Sequence, residues 1–295
     1  MVDVGGRRLH VNVAGSGGPA VILEAGIAAS SLSWALVAKK VAQFTTVVTY
    51  DRAGFGWSDP APHCCTALDS AQDLALLLDK AGIRGPLVLV GHSFGGLIVR
   101  LFEQTYPERA AGLVLVDPVC RVEWRDAGEQ QKRMLSRGVR LARRGELLAR
   151  LGVVRLALNL LMSGSRTIPK MLARVSAGRG AGVTERLTGE VRKMPRELWP
   201  AVAAHWSQAR CFRAMADSLE NLPVSVMQID EDRSQGDLPI VVLSAGSASA
   251  QAMAEHEHDA GMSRAGVHSV VLGSGHWIQP DVPDSVVDAI RRWFE

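Results

Sequence analysis

Four cysteines are present and no two of them form a C-x-x-C pair, which excludes a zinc framework or redox couple built on cysteine. Cys64 and Cys65 are adjacent, a spacing that rarely suits disulfide geometry, while Cys120 and Cys211 stand alone. Free thiols in a reducing compartment are the expectation. Aromatic residues make up only 5% of the chain, with two tyrosines, and no nucleic-acid-binding motif is present. Nucleic acid is therefore not an expected partner. Every apolar run ends well short of the ~20 residues that a membrane-spanning helix needs, so no integral membrane segment is expected. The start, Met1-Val2-Asp3-Val4-Gly5-Gly6-Arg7-Arg8, carries no apolar signal segment, which points to the cytoplasm. Nothing in the sequence specifies an oligomeric state.

What remains is an ordinary globular composition: 295 residues, 47% hydrophobic and 21% charged, enough for a large core. The net charge of +3 conceals an uneven distribution. Residues 121–222 hold 20 Lys and Arg against 9 Asp and Glu, whereas the rest of the chain holds 13 against 21. A basic segment is thus set into an acidic scaffold. It could be a solvated arginine-rich face, or a surface for anionic lipid or acidic ligands.

Strand and helix signals alternate on both sides of that segment. Arg7–Val13 alternates and reads as a first strand. Ala20–Leu23, Thr45–Tyr50, Leu87–Val90 and Gly112–Val116 are short apolar strands. Helical spacing covers Ala67–Ala81, ended by Gly82, and Phe94–Gln104. Continuous apolar strands between helices imply a parallel sheet covered on both faces, an α/β architecture. The rhythm stops after Asp117-Pro118 and returns at Pro239–Leu243, Val267–Leu272 and a last helix over Asp284–Phe294. The intervening Leu-, Ala- and Arg-rich stretch has one long helical stripe over Glu146–Met162, through Leu147, Leu151, Val154, Leu158 and Leu161. The expected organisation is a core of residues 1–120 and 236–295, with a helical cap over residues 121–235.

Gly91-His92-Ser93-Phe94-Gly95-Gly96 follows the apolar run 87–90 directly and fits G-x-S-x-G. A serine hydroxyl attacks a carbonyl only when it is exposed, oriented and relieved of its proton. A sharp strand-to-helix turn supplies the exposure, and its crowded backbone needs small neighbours. The helix beginning at Phe94 also aims free N–H groups and its positive dipole end at the reaction centre. Such a serine needs a base, and the base needs an orienting group. His276 suits best, in the loop Leu272-Gly273-Ser274-Gly275-His276-Trp277 after the last strand. Ser93 and His276 both lie just past strand ends, and those ends share one edge of an open parallel sheet. His92 sits beside the nucleophile but points elsewhere. His256 and His258, near Glu255, Glu257 and Asp259, suggest either a metal site or a solvated helix face, with the second preferred. His10 alternates in the first strand, and His63, His205 and His268 have no supporting context.

These motifs resemble the α/β-hydrolase superfamily. Gly91–Gly96 matches its nucleophile elbow, Tyr50-Asp51-Arg52-Ala53-Gly54-Phe55-Gly56-Trp57-Ser58-Asp59 resembles its loop after the fourth strand, and Gly275-His276 matches its histidine loop. The resemblance implies a mostly parallel eight-stranded sheet with helices on both faces and an inserted helical cap. It also implies the order nucleophile, acid, histidine. The usual acid position reads Gly246-Ser247-Ala248-Ser249 here, without a carboxylate. The alternative family position, after the preceding strand, offers Asp117, with Glu255, Glu257 and Asp259 in reserve. The implied oxyanion donors are the backbone N–H groups of Phe94 and of Ile27, the latter in Glu24-Ala25-Gly26-Ile27. Many relatives have His-Gly where this chain has Ala25-Gly26. Asp51 and Arg52 are expected to be structural, as a buried ion pair near the site.

Relatives that open epoxides or remove halide use aspartate as nucleophile. Serine attacking an alkyl group would leave a stable ether, so acyl transfer is expected. The expected reaction is hydrolysis of a carboxylic ester through an acyl-serine, without cofactor or metal, on a small molecule with an apolar part. A ligand receptor of the same fold, an acyltransferase and a carbon–carbon bond hydrolase remain alternatives.

Overall fold

The short apolar runs form strands with both faces covered. In this computed structural model, residues 1–62, 65–162, 193–231 and 233–295 are described. Strands β3 (Val11–Ala14), β4 (Ala20–Glu24), β5 (Val47–Tyr50), β6 (Leu87–His92), β7 (Ala110–Val116), β8 (Ile240–Ala245) and β9 (Gly266–Val271) form one sheet in the order β3-β5-β4-β6-β7-β8-β9. Only β3 runs antiparallel to its neighbour, β5. Alternate residues feed separate cores because side chains switch face at every position. Leu87, Leu89, Leu113 and Leu115 pack on one side with α2 (Ala67–Lys80) and α3 (Phe94–Thr105). Val88, Val90, Val114 and Val116 pack on the other with α1 (Ala35–Val41) and the last helix, Pro283–Arg291.

Among the described residues the sheet has seven strands rather than the expected eight. The alternating stretch Arg7–Val13 does not form one strand. β2 (Arg8–Leu9) pairs with β1 (Val2–Asp3) in a separate ribbon, while β3 joins the main sheet beside β5. His10 lies at the break, its N–H donating to Ser58 Oγ and its ring bonded to Asp51. Those side-chain contacts divert the backbone between two partners.

Among the described residues between β7 and β8 there are helices and no strand. They comprise α4 (Val122–Arg125), α5 (Glu129–Arg150), α6 (Val153–Met162) and the helices Trp199–Trp206, Ala209–Glu220 and Leu222–Met227. The long stripe over Glu146–Met162 is not one helix. Gly152, at φ +75°, lies in the break between α5 and α6, and Leu147 and Leu151 are 58% and 68% exposed. Helix α5 instead buries Ala142, Glu146 and Ala149. Gly145 lies under the Phe212 ring, and Arg143 pairs with Asp217. At 100° per residue, Arg133, Arg137, Arg140 and Arg144 fall about 180° from that face. All four are exposed, so this part of the arginine excess is solvated.

Candidate active site

Ser93 occupies the corner between β6 and α3 with φ 53° and ψ −119°. A left-handed backbone at a non-glycine residue costs on the order of 1–3 kcal/mol and persists only where its surroundings fix it. Here the Ser93 N–H donates to Val116 O at 3.0 Å, and Gly96 N–H donates to Ser93 O at 2.9 Å. The glycines are required by space. A Cβ on Gly91 would lie 2.4 Å from Gly95 O, and one on Gly95 would lie 2.5 Å from Glu24 O. The loop after β4 therefore packs directly on the first turn of α3.

The structure brings Ser93, His276 and Asp117 together. His276 Nε2 lies 3.0 Å from Ser93 Oγ, and His276 Nδ1 lies 2.6 Å from Asp117 Oδ2. Asp117 follows β7 at φ 41°, and its other oxygen accepts the Ala245 N–H at 2.8 Å. Burial pushes the Asp117 carboxyl up, but the hydrogen bonds from His276 and Ala245 outweigh it and hold the group below the usual carboxylate range. An ionised carboxylate only accepts, so Nδ1 carries the ring proton and Nε2 presents a lone pair to Ser93. Between them, the ends of β6, β7 and β9 deliver all three groups to one sheet edge.

His92 donates Nε2–H to the carbonyl of His276 at 2.8 Å, and the two rings stand 4.8 Å apart. It therefore fixes the backbone that carries His276. The reserve acids are committed elsewhere. Glu255 accepts from the Arg121 N–H and from Cys120 Sγ, and Asp259 accepts two bonds from Arg121. Glu257 is exposed. The helix that carries them, Ala250–Gly261, is not a solvated face throughout. Glu255, His256 and Asp259 are buried, with His256 bonded to Ser244 and to Pro118 O. Among the described residues, no group of His, Cys, Asp or Glu is arranged to hold a metal ion. His63 and Cys64 lie outside the described residues.

Asp51 and Arg52 do not pair with each other. Asp51 binds His10, Ser31 N–H and Trp57 N–H, whereas Arg52 pairs with the buried Glu24. Glu24 was not singled out from the sequence, since a single carboxylate ending an apolar strand carries no motif. His205, from the helix Trp199–Trp206, was also missed. Its Nδ1 accepts the Gly56 N–H at 2.9 Å, and its ring approaches Ala28 O. Ile27 follows Gly26, whose Cβ position would be 3.3 Å from Ser93 Cβ. Among the described residues, neither the Ile27 nor the Phe94 N–H has a protein acceptor.

Known proteins share this arrangement of elements. Residues 20–289 match the alpha/beta hydrolase family. Lipase LipV of Mycobacterium tuberculosis is 37% identical over 117 residues, covering 39% of this chain and 43% of the lipase. An esterase from Thermogutta terrifontis superposes with a TM-score of 0.65 at 21% identity, over 98% of this chain and 93% of the esterase. The epoxide hydrolase CorEH gives 0.68 at 17% identity, over 100% of this chain and 96% of its own. The chain spans less than half the length of the first curated relatives it matches, between 18% and 41%. With a family match from β4 into the final helix, and a mostly parallel sheet flanked by helices, the chain belongs to the alpha/beta hydrolase family.

Proposed function

We propose that this protein is a serine hydrolase that cleaves a carboxylic ester through an acyl-serine intermediate. The observation that carries the reading is the unbroken hydrogen-bonded line from Ser93 Oγ through His276 to Asp117. In this mechanism, His276 Nε2 takes the Ser93 hydroxyl proton as Oγ attacks the carbonyl carbon. The Ile27 and Phe94 N–H groups receive the oxyanion. The imidazolium, stabilised by Asp117, returns the proton to the leaving alkoxide. A water then gives a proton to Nε2 and attacks the acyl carbon, releasing the acid and restoring Ser93. In this reading residues 121–235 form the cap that roofs the site and selects a small substrate with an apolar part. The sequence likeness to a lipase supports ester substrates. The likeness to an epoxide hydrolase is one of fold, and a serine at position 93 argues against alkyl transfer.

The test is turnover of p-nitrophenyl esters of several chain lengths, with a fluorophosphonate adduct mapped by peptide mass. Expected are many turnovers, labelling at Ser93, and loss of both in Ser93→Ala. Asp117→Asn should turn over about 10⁴-fold more slowly and take up the fluorophosphonate more slowly as well, because the imidazole loses its orienting charge and tautomer. A single slow burst would favour a ligand receptor, and full turnover by Ser93→Ala would sink the mechanism.

A further inference from the structure

Arg52 is only 7% exposed, and its guanidinium faces the backbone of the loop after β4. Nη2 donates to Gly26 O at 2.7 Å, while Nη1 donates to Ala25 O and to Glu24. The second Glu24 oxygen accepts from Tyr50 OH, so the counter-charge is itself fixed. The cation also lies over the rings of Phe55 and Phe94, 5.2 and 5.8 Å from their centroids. Phe94 is the residue whose N–H follows Ser93. One buried side chain thus touches both segments that flank the reacting oxygen.

The geometry of the peptide bond gives these contacts a direction. Gly26 C=O and Ile27 N–H belong to one planar trans group, in which oxygen and hydrogen point opposite ways. Pulling Gly26 O onto the guanidinium turns the Ile27 N–H away from it. The turn closed by Ala29 N–H on the same oxygen is longer, at 3.3 Å. We propose that Arg52 is a positioning residue that, anchored by Glu24, aims the Ile27 N–H at the oxyanion formed on a substrate of Ser93. Two carbonyls and one carboxylate are held by a single flat fork, a geometry that a lysine ammonium does not reproduce. The inference rests on the acyl-serine reading above and adds a residue that acts only through the loop backbone.

The experiment measures kcat per titrated active site, KM and thermal midpoint for Arg52→Lys and Arg52→Met on an activated ester. Full loss of one oxyanion donor costs about 10²–10³-fold in kcat, so a misaimed donor should cost about 10–100-fold with KM little changed. Binding of a trifluoromethyl ketone, which forms the same oxyanion, should weaken in parallel. A cavity of about 190 Å³ adjoins Arg52, so millimolar guanidinium should reach the vacated site and restore part of the Arg52→Met rate. In Ile27→Pro, which lacks the N–H, Arg52→Lys should slow turnover no further. A merely structural Arg52 would lower the thermal midpoint and the fraction of titratable sites but leave kcat per site unchanged, whereas a kcat loss in Arg52→Lys that recurs in full in the Ile27→Pro background would place its effect elsewhere than on that N–H. Those results would overturn the proposal. If the wild type took no fluorophosphonate label at Ser93 and Ser93→Ala kept full turnover, the acyl-serine reading would fail first and this proposal with it. Labelling and turnover that depend on Ser93, with unaltered Arg52 variants, would sink only the role of Arg52.

Discussion

His92, one residue before Ser93, is 1% exposed and sits with its Nε2–H on the His276 carbonyl. Among the described residues, the opposite nitrogen, Nδ1, has no hydrogen-bond partner. A proton there would be a buried charge facing His276. Burial, reinforced by that neighbour, pushes the His92 pKa down from 6.5 to about 3. Below pH 6.5 the unfolded chain takes up a proton that the folded protein refuses until about pH 3. Stability from this residue therefore rises with pH across that window and is level above it, with a slope of up to about 1.4 kcal/mol per pH unit. His92→Gln keeps an N–H donor and removes the titration. Its urea midpoint should fall less than that of the wild type between pH 6.5 and about pH 4.5. Equal falls would assign the acid sensitivity to other groups.

At the scale of single elements, α2 illustrates local encoding. Thr66 accepts from the Asp69 N–H, and the Asp69 side chain accepts from the Thr66 N–H, a complete capping box. Threonine followed three residues on by an acid is visible in the sequence. Its second duty is not. Thr66 Oγ1 also accepts from Gln228 Nε2, and Ser225 Oγ accepts the Ala67 N–H. The start of α2 is thereby tied to the helix Leu222–Met227 and to the turn after it. Thr66→Ala should cost about 1 kcal/mol for the cap alone, read as a lower urea midpoint at unchanged slope. A measured loss well beyond that would show that the tie to Gln228 carries stability too.

Across the whole molecule, the basic segment meets the acidic scaffold through Arg121. This residue follows β7 and binds Asp259, Glu255 and Glu231, while Arg100 of α3 also pairs with Asp259. Asp259 is 1% exposed, yet its pKa stands at about 2: burial raises it, and the two arginines overcome that. Because the folded value lies below the unfolded one, this stabilisation is present above about pH 4 and disappears as pH falls toward 2. Arg121→Ala leaves Glu255 buried and halves the compensation of Asp259. It should destabilise by about 3–5 kcal/mol in denaturant titrations at pH 7, the range for breaking a buried pair on one side. Full stability in that variant would mean that Arg100 alone suffices for Asp259.

Composition and order along the chain were enough to establish the parallel sheet, its helices, the serine at the corner after β6 and the histidine after β9. Each follows from local rules, namely apolar runs of strand length, small residues where the backbone crowds, and ligand groups at strand ends. Tertiary structure alone decided the partners. Asp51 and Arg52 are adjacent in sequence but face opposite sides of the loop, so one binds His10 and the other Glu24. Glu255 and Asp259 were possible triad acids until folding set Arg121 between them. The run over Glu146–Met162 has helical periodicity on both sides of Gly152, and only the turn at that glycine shows two helices. Periodicity is a property of neighbours in sequence, whereas a charge finds its partner by distance in space, and only folding sets that distance.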